Sequence, residues 1–338
     1  MTKRNWPITG AVLLALLGTH APVLFGVEHP DGLERARNVV EAIVKASEGT
    51  VGVSVKHMES GEGFSVNGDV SFPLASVVKL PILTEVMAEI KESRFGLSDE
   101  WSLKPSDQFY DGSLLSDLKA PGIRISVENL INMMMWLSDN TATDLLLMKV
   151  GIEAVNARIR SFGVEGILVG RTIRELLLDY YVGDSRNYLS MPKDEFARLF
   201  ERKAVEDPGA LGKARADFGR NPADRATPQA INTLLEKIFR REVLDPASCD
   251  QILNVMAGCQ TGAKRIRGLL PSDTIVAHKT GTIGGTINDC GIIDLPGGAG
   301  HVALSVLSMD TDPDQTEDTI ALIAKTVYDF FLFAPRGE

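Results

Sequence analysis

Apolar residues along the chain change their period four times. Between Asp31 and Ser47 they fall at Leu33, Val39, Val40, Ile43 and Val44, one face of a helix that Asp31 can cap. Thr50 to Lys56 alternates instead, with Val51, Val53 and Val55 on one side of a predicted strand. Glu59-Ser60-Gly61-Glu62 predicts a hairpin turn into a second short strand near Gly63–Val66. From Leu74 to Gly268 the spacing is mostly helical, broken by loops at Lys104–Asp107 and Ala120–Gly122. Alternation returns after Thr274 in three stretches, Ile275–Thr280, Thr286–Leu295 and His301–Met309, with Pro296-Gly297-Gly298 between the last two. Asp314 to Leu332 ends the pattern as an amphipathic helix carrying Ile320, Leu322, Ile323, Val327 and Phe330.

Strands from both ends can share one antiparallel sheet only if the helical block between them is an insertion. The expected fold class is therefore α+β, with terminal helices flanking the sheet and a cleft where sheet and helices meet. The expected boundaries are 28–72 plus 272–338 for the sheet domain and 73–271 for an all-helical domain. Residues 1–27 stand apart. Lys3 and Arg4 precede the apolar stretch Ile8 to Leu17, and Thr19 and Ala21 follow as small residues near a cut. That pattern predicts a secretory signal, or, uncleaved, an N-terminal anchor through residues 7–27. The expected location is secreted or periplasmic, with a membrane tether as the alternative.

Composition narrows the chemistry. The 338 residues are 44% hydrophobic and 24% charged, which is globular composition, and the formal charge is -10 with no basic run. A nucleic-acid binder needs a positive stripe, so that class is set aside. Five scattered histidines offer no metal-ligand spacing at His57, His278 or His301, so neither a metal nor another cofactor is expected. Cys249, Cys259 and Cys290 are odd in number and lack C-x-x-C spacing, and all three read as buried structural residues.

Three short motifs carry the candidate chemistry. Ser-x-x-Lys occurs at Ser76–Lys79, Ser116–Lys119 and Ser190–Lys193. Only Ser76 opens a long apolar helical segment, from Leu80 through Ile90, where positions three apart share a face. A serine hydroxyl needs an adjacent base to attack, and a desolvated lysine can be one. Ser138-Asp139-Asn140 lies between two helical segments, and Lys279-Thr280-Gly281 lies on a predicted strand, followed by Thr282. Each motif alone is as consistent with a helix cap, a surface lysine or a strand end.

In this order, the trio resembles that of the penicillin-recognising serine enzymes, and specifically the class A β-lactamases. The resemblance extends from about Val51 to Phe331, through SDNTATDLLL, Ala226-Thr227-Pro228, LLPSDTIVAHKTGT and INDCGIIDLPGG. It implies an antiparallel five-stranded sheet flanked by terminal helices, with the helical domain inserted. It also implies Ser76 as the acylated nucleophile, Lys79 as its activator and Ser138 as the proton relay to the departing nitrogen. Asn140 then holds the substrate's side-chain amide, and Lys279, Thr280, Gly281 and Thr282 form the strand that receives the substrate carboxylate. The backbone N–H groups of Ser76 and Thr282 form the oxyanion hole. The implied partner is a β-lactam or a peptidoglycan stem peptide, taken by a monomer.

The sequence departs from the family at the glutamate that activates the deacylating water, which should follow an arginine by two residues. In Gly170-Arg171-Thr172-Ile173-Arg174-Glu175-Leu176-Leu177-Leu178-Asp179, Glu175 can take that place only if Ile173 takes the arginine's. If Arg174 is the arginine, the position falls on Leu176, and TIRELLLDY then resembles the class A-like DD-peptidases. Three readings stay open: a β-lactamase with Glu175 as base, a DD-peptidase with slow deacylation, and a non-catalytic penicillin-binding sensor. About Val182 to Asp224 is an extra charged segment with a helix expected at Asp194–Ala204, either a solvated decoration or a shaper of the cleft mouth. Ile287 also stands where many relatives carry a carboxylate-binding arginine.

Overall fold

The computed structural model describes residues 30–333; the proposed signal or anchor segment lies outside them. Among the described residues, no helix is long and apolar enough to cross a membrane. Helix α1 (Pro30–Ala46) leads into the hairpin β1 (Thr50–His57) and β2 (Gly63–Val66). The other strands are β3 (Val276–Ile283), β4 (Thr286–Leu295) and β5 (Gly300–Met309), before the terminal helix α11 (Pro313–Phe333). Their order is β2-β1-β5-β4-β3, every pair antiparallel, so the chain's two ends meet at β1 and β5.

The alternation read from the sequence divides the sheet into two faces. Val302, Leu304 and Val306 of β5 join Val51, Val53 and Val55 of β1 against Ile320, Ile323, Val327 and Phe331 of α11. Ala303 and Leu307, one residue out of phase, turn to the helical side with Cys290 and Ile292 of β4. That second face packs on the helices that lie between β2 and β3 in sequence. Those that bear on the site are α2 (Lys79–Lys91), α3 (Val127–Trp136), α4 (Asn140–Val150), α5 (Ile152–Ser161) and α6 (Ile173–Val182). They are followed by α7 (Lys193–Glu206), α8 (Pro208–Arg220), α9 (Pro228–Phe239) and α10 (Pro246–Ala257).

The extra segment is built into the protein rather than laid on it. Phe196 of α7 is fully buried among Phe109 and Leu178, with Tyr110, Tyr181 and Phe200 around it. Leu211, Ala214 and Phe218 of α8, spaced by three and four, are buried too. This second helix is not evident in the pattern because Gly209, Gly212 and Gly219 dilute it. Phe218 meets Tyr180 of α6 edge-on at 5.5 Å, and the Arg171 guanidinium lies over the Phe218 ring at 5.2 Å.

Candidate active site

Ser76 is held by a short, tightly tied segment. Phe72-Pro73 pairs with Arg225-Ala226, and Leu74 N–H donates to the Asp224 carbonyl at 2.8 Å. The buried Asn288 amide of β4 donates to the carbonyls of Pro73 (2.9 Å) and Leu74 (3.0 Å). The chain then turns through Ala75 at φ 46° into a 3-10 turn, Ala75–Val78, from which α2 continues. A left-handed alanine is costly backbone, held here by its surroundings. Gly281 of β3 explains the glycine of the third motif. A Cβ there would lie 2.6 Å from the Leu74 carbonyl oxygen and 3.1 Å from the Ser76 nitrogen, so only glycine lets the strand lie against the Ser76 backbone.

Ser138 is strained as well, at φ 59°, in the link between α3 and α4. Asp139 fixes that link by capping α4 through Ala142 N–H (2.8 Å) and accepting Leu115 N–H (2.9 Å). The result is a convergence of all three motifs. Lys79 Nζ, fully buried, donates to the Ser138 carbonyl (2.6 Å) and Asn140 Oδ1 (2.8 Å) and lies 3.1 Å from the Ser138 hydroxyl. Lys279 Nζ, also fully buried, reaches the same hydroxyl at 3.0 Å and the Thr280 carbonyl at 2.7 Å.

Two amines on one hydroxyl set the electrostatics. Burial, and then the charge of Lys279, push the Lys79 ammonium well below its ordinary range, against the pull of Asp139, Asp111 and Asp144. Burial also brings Lys279 down to about 8. Lys79, three residues along from Ser76, is thereby suited to be a neutral base, and Lys279 to be the cation. Burial pushes Asp144 up to about 7, and its two oxygens accept the N–H groups of Ile173 (2.7 Å) and Arg174 (2.9 Å), fastening α6 to α4.

Arg265 is the residue that pattern reading missed. Its Nη2 donates to the Thr282 hydroxyl at 2.7 Å, and its Nη1 to the carbonyls of Gly281 (3.1 Å) and Asn288 (3.0 Å). An arginine thus lies against β3 although Ile287 is buried in the outer core. It comes from a loop running beside β3, and nothing in its local sequence marks it.

Glu175 is spent elsewhere. Its Oε2 accepts Thr172 N–H (2.8 Å) and the Thr172 hydroxyl (2.9 Å), while Thr172 Oγ1 accepts Glu175 N–H (3.2 Å), a capping box at the start of α6. Leu176 packs instead with Ala75, directly before Ser76, and with Ile283 and Phe218. The arginine that anchors this stretch is Arg171, bonded to Asp224 at 2.6 Å and Asp179 at 2.5 Å. Arg174 reaches the Ser106 and Met191 carbonyls. Two residues beyond either arginine the side chain is apolar, Ile173 or Leu176.

Comparison with known proteins identifies the family. A sequence model described as the Beta-lactamase enzyme family matches residues 35–331. The chain belongs to the β-lactamase family. Beta-lactamase VEB-1 of Pseudomonas aeruginosa is 25% identical over 335 residues, covering 96% of this chain and 99% of that one. The crystal structure of the TLA-3 extended-spectrum β-lactamase superposes with a TM-score of 0.71 at 27% identity, over 89% of this chain and 99% of that one. A leucine-to-glutamate mutant of PBP-A, solved as an acyl-enzyme complex with penicillin G, shares the fold at 22% identity. Its TM-score is 0.69, with 88% of this chain and 97% of that chain covered. Like these family members, the protein has the α+β fold with a five-stranded antiparallel sheet.

Proposed function

We propose that this β-lactamase-family protein is a serine hydrolase that opens the amide of a β-lactam by acylation at Ser76. The observation that carries the reading is the Ser138 hydroxyl held between the amines of Lys79 and Lys279 next to the Ser76 turn. The substrate carboxylate enters beside Lys279, Thr280 and Thr282, with the Arg265 guanidinium, itself paired to Glu317 at 3.0 Å, behind Thr282, while Asn140 holds the side-chain amide. Lys79, neutral, takes the Ser76 proton as Ser76 Oγ bonds to the carbonyl carbon. The backbone N–H groups of Ser76 and Thr282 stabilise the oxyanion. When the C–N bond breaks, Ser138 passes its proton to the departing nitrogen and is reprotonated from the lysine side. Water then adds to the ester and releases Ser76. The penicillin acyl-enzyme described for the PBP-A mutant supports a bound acyl group on this fold.

A second reading, a DD-peptidase acting on D-Ala-D-Ala ends with slow release of β-lactams, is favoured by one observation. Glu175 caps α6 and Leu176 faces the Ser76 segment, so a carboxylate base for water is missing from both arginine registers. A silent sensor module is disfavoured by the intact Ser76, Lys79, Ser138 and Lys279. Export through residues 1–27 to the periplasm belongs to the same proposal, supported by Lys3 and Arg4 ahead of Ile8–Leu17, and action as a monomer is proposed with it.

A time course with labelled penicillin and with a D-Ala-D-Ala peptide tests it. Label on wild type and none on Ser76→Ala supports the nucleophile; persistent label on Ser76→Ala overturns it. Rapid loss of label supports a β-lactamase. Lasting label with release of D-Ala from the peptide supports the DD-peptidase.

A further inference from the structure

The loop after α10 runs beside β3 and sets polar side chains against two alternate residues of the strand. Thr261 lies by Thr280 and Arg265 by Thr282, and Cys259 stands behind Thr261. Gly262, at φ 70°, makes the approach possible, since a Cβ there would come within 2.5 Å of the Thr280 methyl group. The three motifs and the mechanism above use Thr280 and Thr282 but leave Cys259 and Thr261 without a role.

We propose that Cys259 and Thr261 are positioning residues that set the direction of the Thr280 hydroxyl proton, and with it the affinity of the site for a substrate carboxylate. The proposal rests on the reading that Thr280 receives that carboxylate. Cys259 Sγ is 3.3 Å from Thr261 Oγ1, nearer than the 3.8 Å to the Thr261 carbonyl, and Thr261 Oγ1 is 2.5 Å from Thr280 Oγ1. Each hydroxyl has one proton to give. With a neutral thiol, Cys259 donates to Thr261, Thr261 donates to Thr280, and the Thr280 proton is free for the carboxylate. A thiolate reverses the chain. Thr261 then donates to sulfur, Thr280 donates to Thr261, and the carboxylate meets lone pairs.

The thiol is placed to titrate. Burial opposes its ionisation, but the positive charges of His278 and Lys279 outweigh that and bring it down to about 7. His278 is itself held up at about 10, against burial, by Asp289 of β4, whose Oδ1 lies 2.8 Å from Nδ1. The charged groups around Cys259 are thus His278 and Lys279 on β3 and, through His278, Asp289 on β4.

Non-covalent binding of a penicillin and of its methyl ester to the full chain carrying Ser76→Ala tests this, read by calorimetry across pH. Affinity for the penicillin should fall about tenfold as pH passes about 7, the loss of one charge-assisted hydrogen bond, before the Lys279 step near 8. Adding Cys259→Ser, whose hydroxyl does not titrate there, should remove the first step and keep the second. Thr261→Val should also remove the first step, and the ester should show neither. The thiolate's ultraviolet absorbance should rise with the same midpoint. A step near 7 that survives Cys259→Ser, or that the ester shares, overturns the relay. Failure of the wild type to take covalent label from penicillin would instead strike the acylation reading, which these binding curves do not use.

Discussion

Glu175→Ala separates two roles for one carboxylate. In the structure its Oε2 accepts two hydrogen bonds from Thr172 and its N–H returns one to the Thr172 hydroxyl. Loss of such a box costs about 1 kcal/mol, and loss of negative charge from the first turn of a helix adds about 0.3–1 kcal/mol. Glu175→Ala should therefore lower stability to urea by about 1–2 kcal/mol, and Glu175→Gln by less, because an amide oxygen still accepts. Removal of a general base instead slows its step by about a hundredfold to ten-thousandfold. The two outcomes are far apart. Release of the penicilloyl group, followed by intact mass after a single-turnover mix, should change by no more than about twofold in either variant. A hundredfold slower release in both, with the stability of Glu175→Gln retained, would refute the capping assignment and restore Glu175 as the base.

Three other outcomes follow from the packing and the charges. Asp224→Ala leaves the nearly buried Arg171 guanidinium without its closer-buried partner and should cost about 3–5 kcal/mol in urea unfolding. Phe196→Ala empties the centre of the aromatic cluster and should cost about 3–5 kcal/mol, with proteolysis appearing between α7 and α8 while Ser76 still labels. Lys279, at about 8, is charged below that pH and neutral above it. The apparent acylation constant for a penicillin should therefore decline as pH rises through about 8, whereas that of its methyl ester should not.

Much of the fold is legible in the chain because its two periods are clean. Val51, Val53 and Val55 alternate, Ile320, Ile323 and Val327 do not, and the faces they predict are the faces they bury. The trio of motifs is legible for a related reason: each sits where a turn or strand demands it, Ser138 in a strained link and Gly281 where no side chain fits. What sequence could not supply is contact between distant loops. Arg265 gains its meaning only from lying across from Thr282, and Thr261 from lying across from Thr280. The register of α6 is likewise set by partners far off in sequence. Asp224 selects Arg171, and Asp144 holds the backbone of Ile173 and Arg174, so the choice between Glu175 and Leu176 is made by anchors rather than by spacing.

The central claim is that Ser76 is acylated by a β-lactam with Lys79 as its base. Peptide mapping by mass spectrometry after a short exposure to penicillin measures it directly. The account predicts one adduct, with the mass of the whole penicillin, on the peptide that contains Ser76, and almost none in Lys79→Ala under the same exposure. An adduct on another residue, or undiminished labelling of Ser76 in Lys79→Ala, would contradict it.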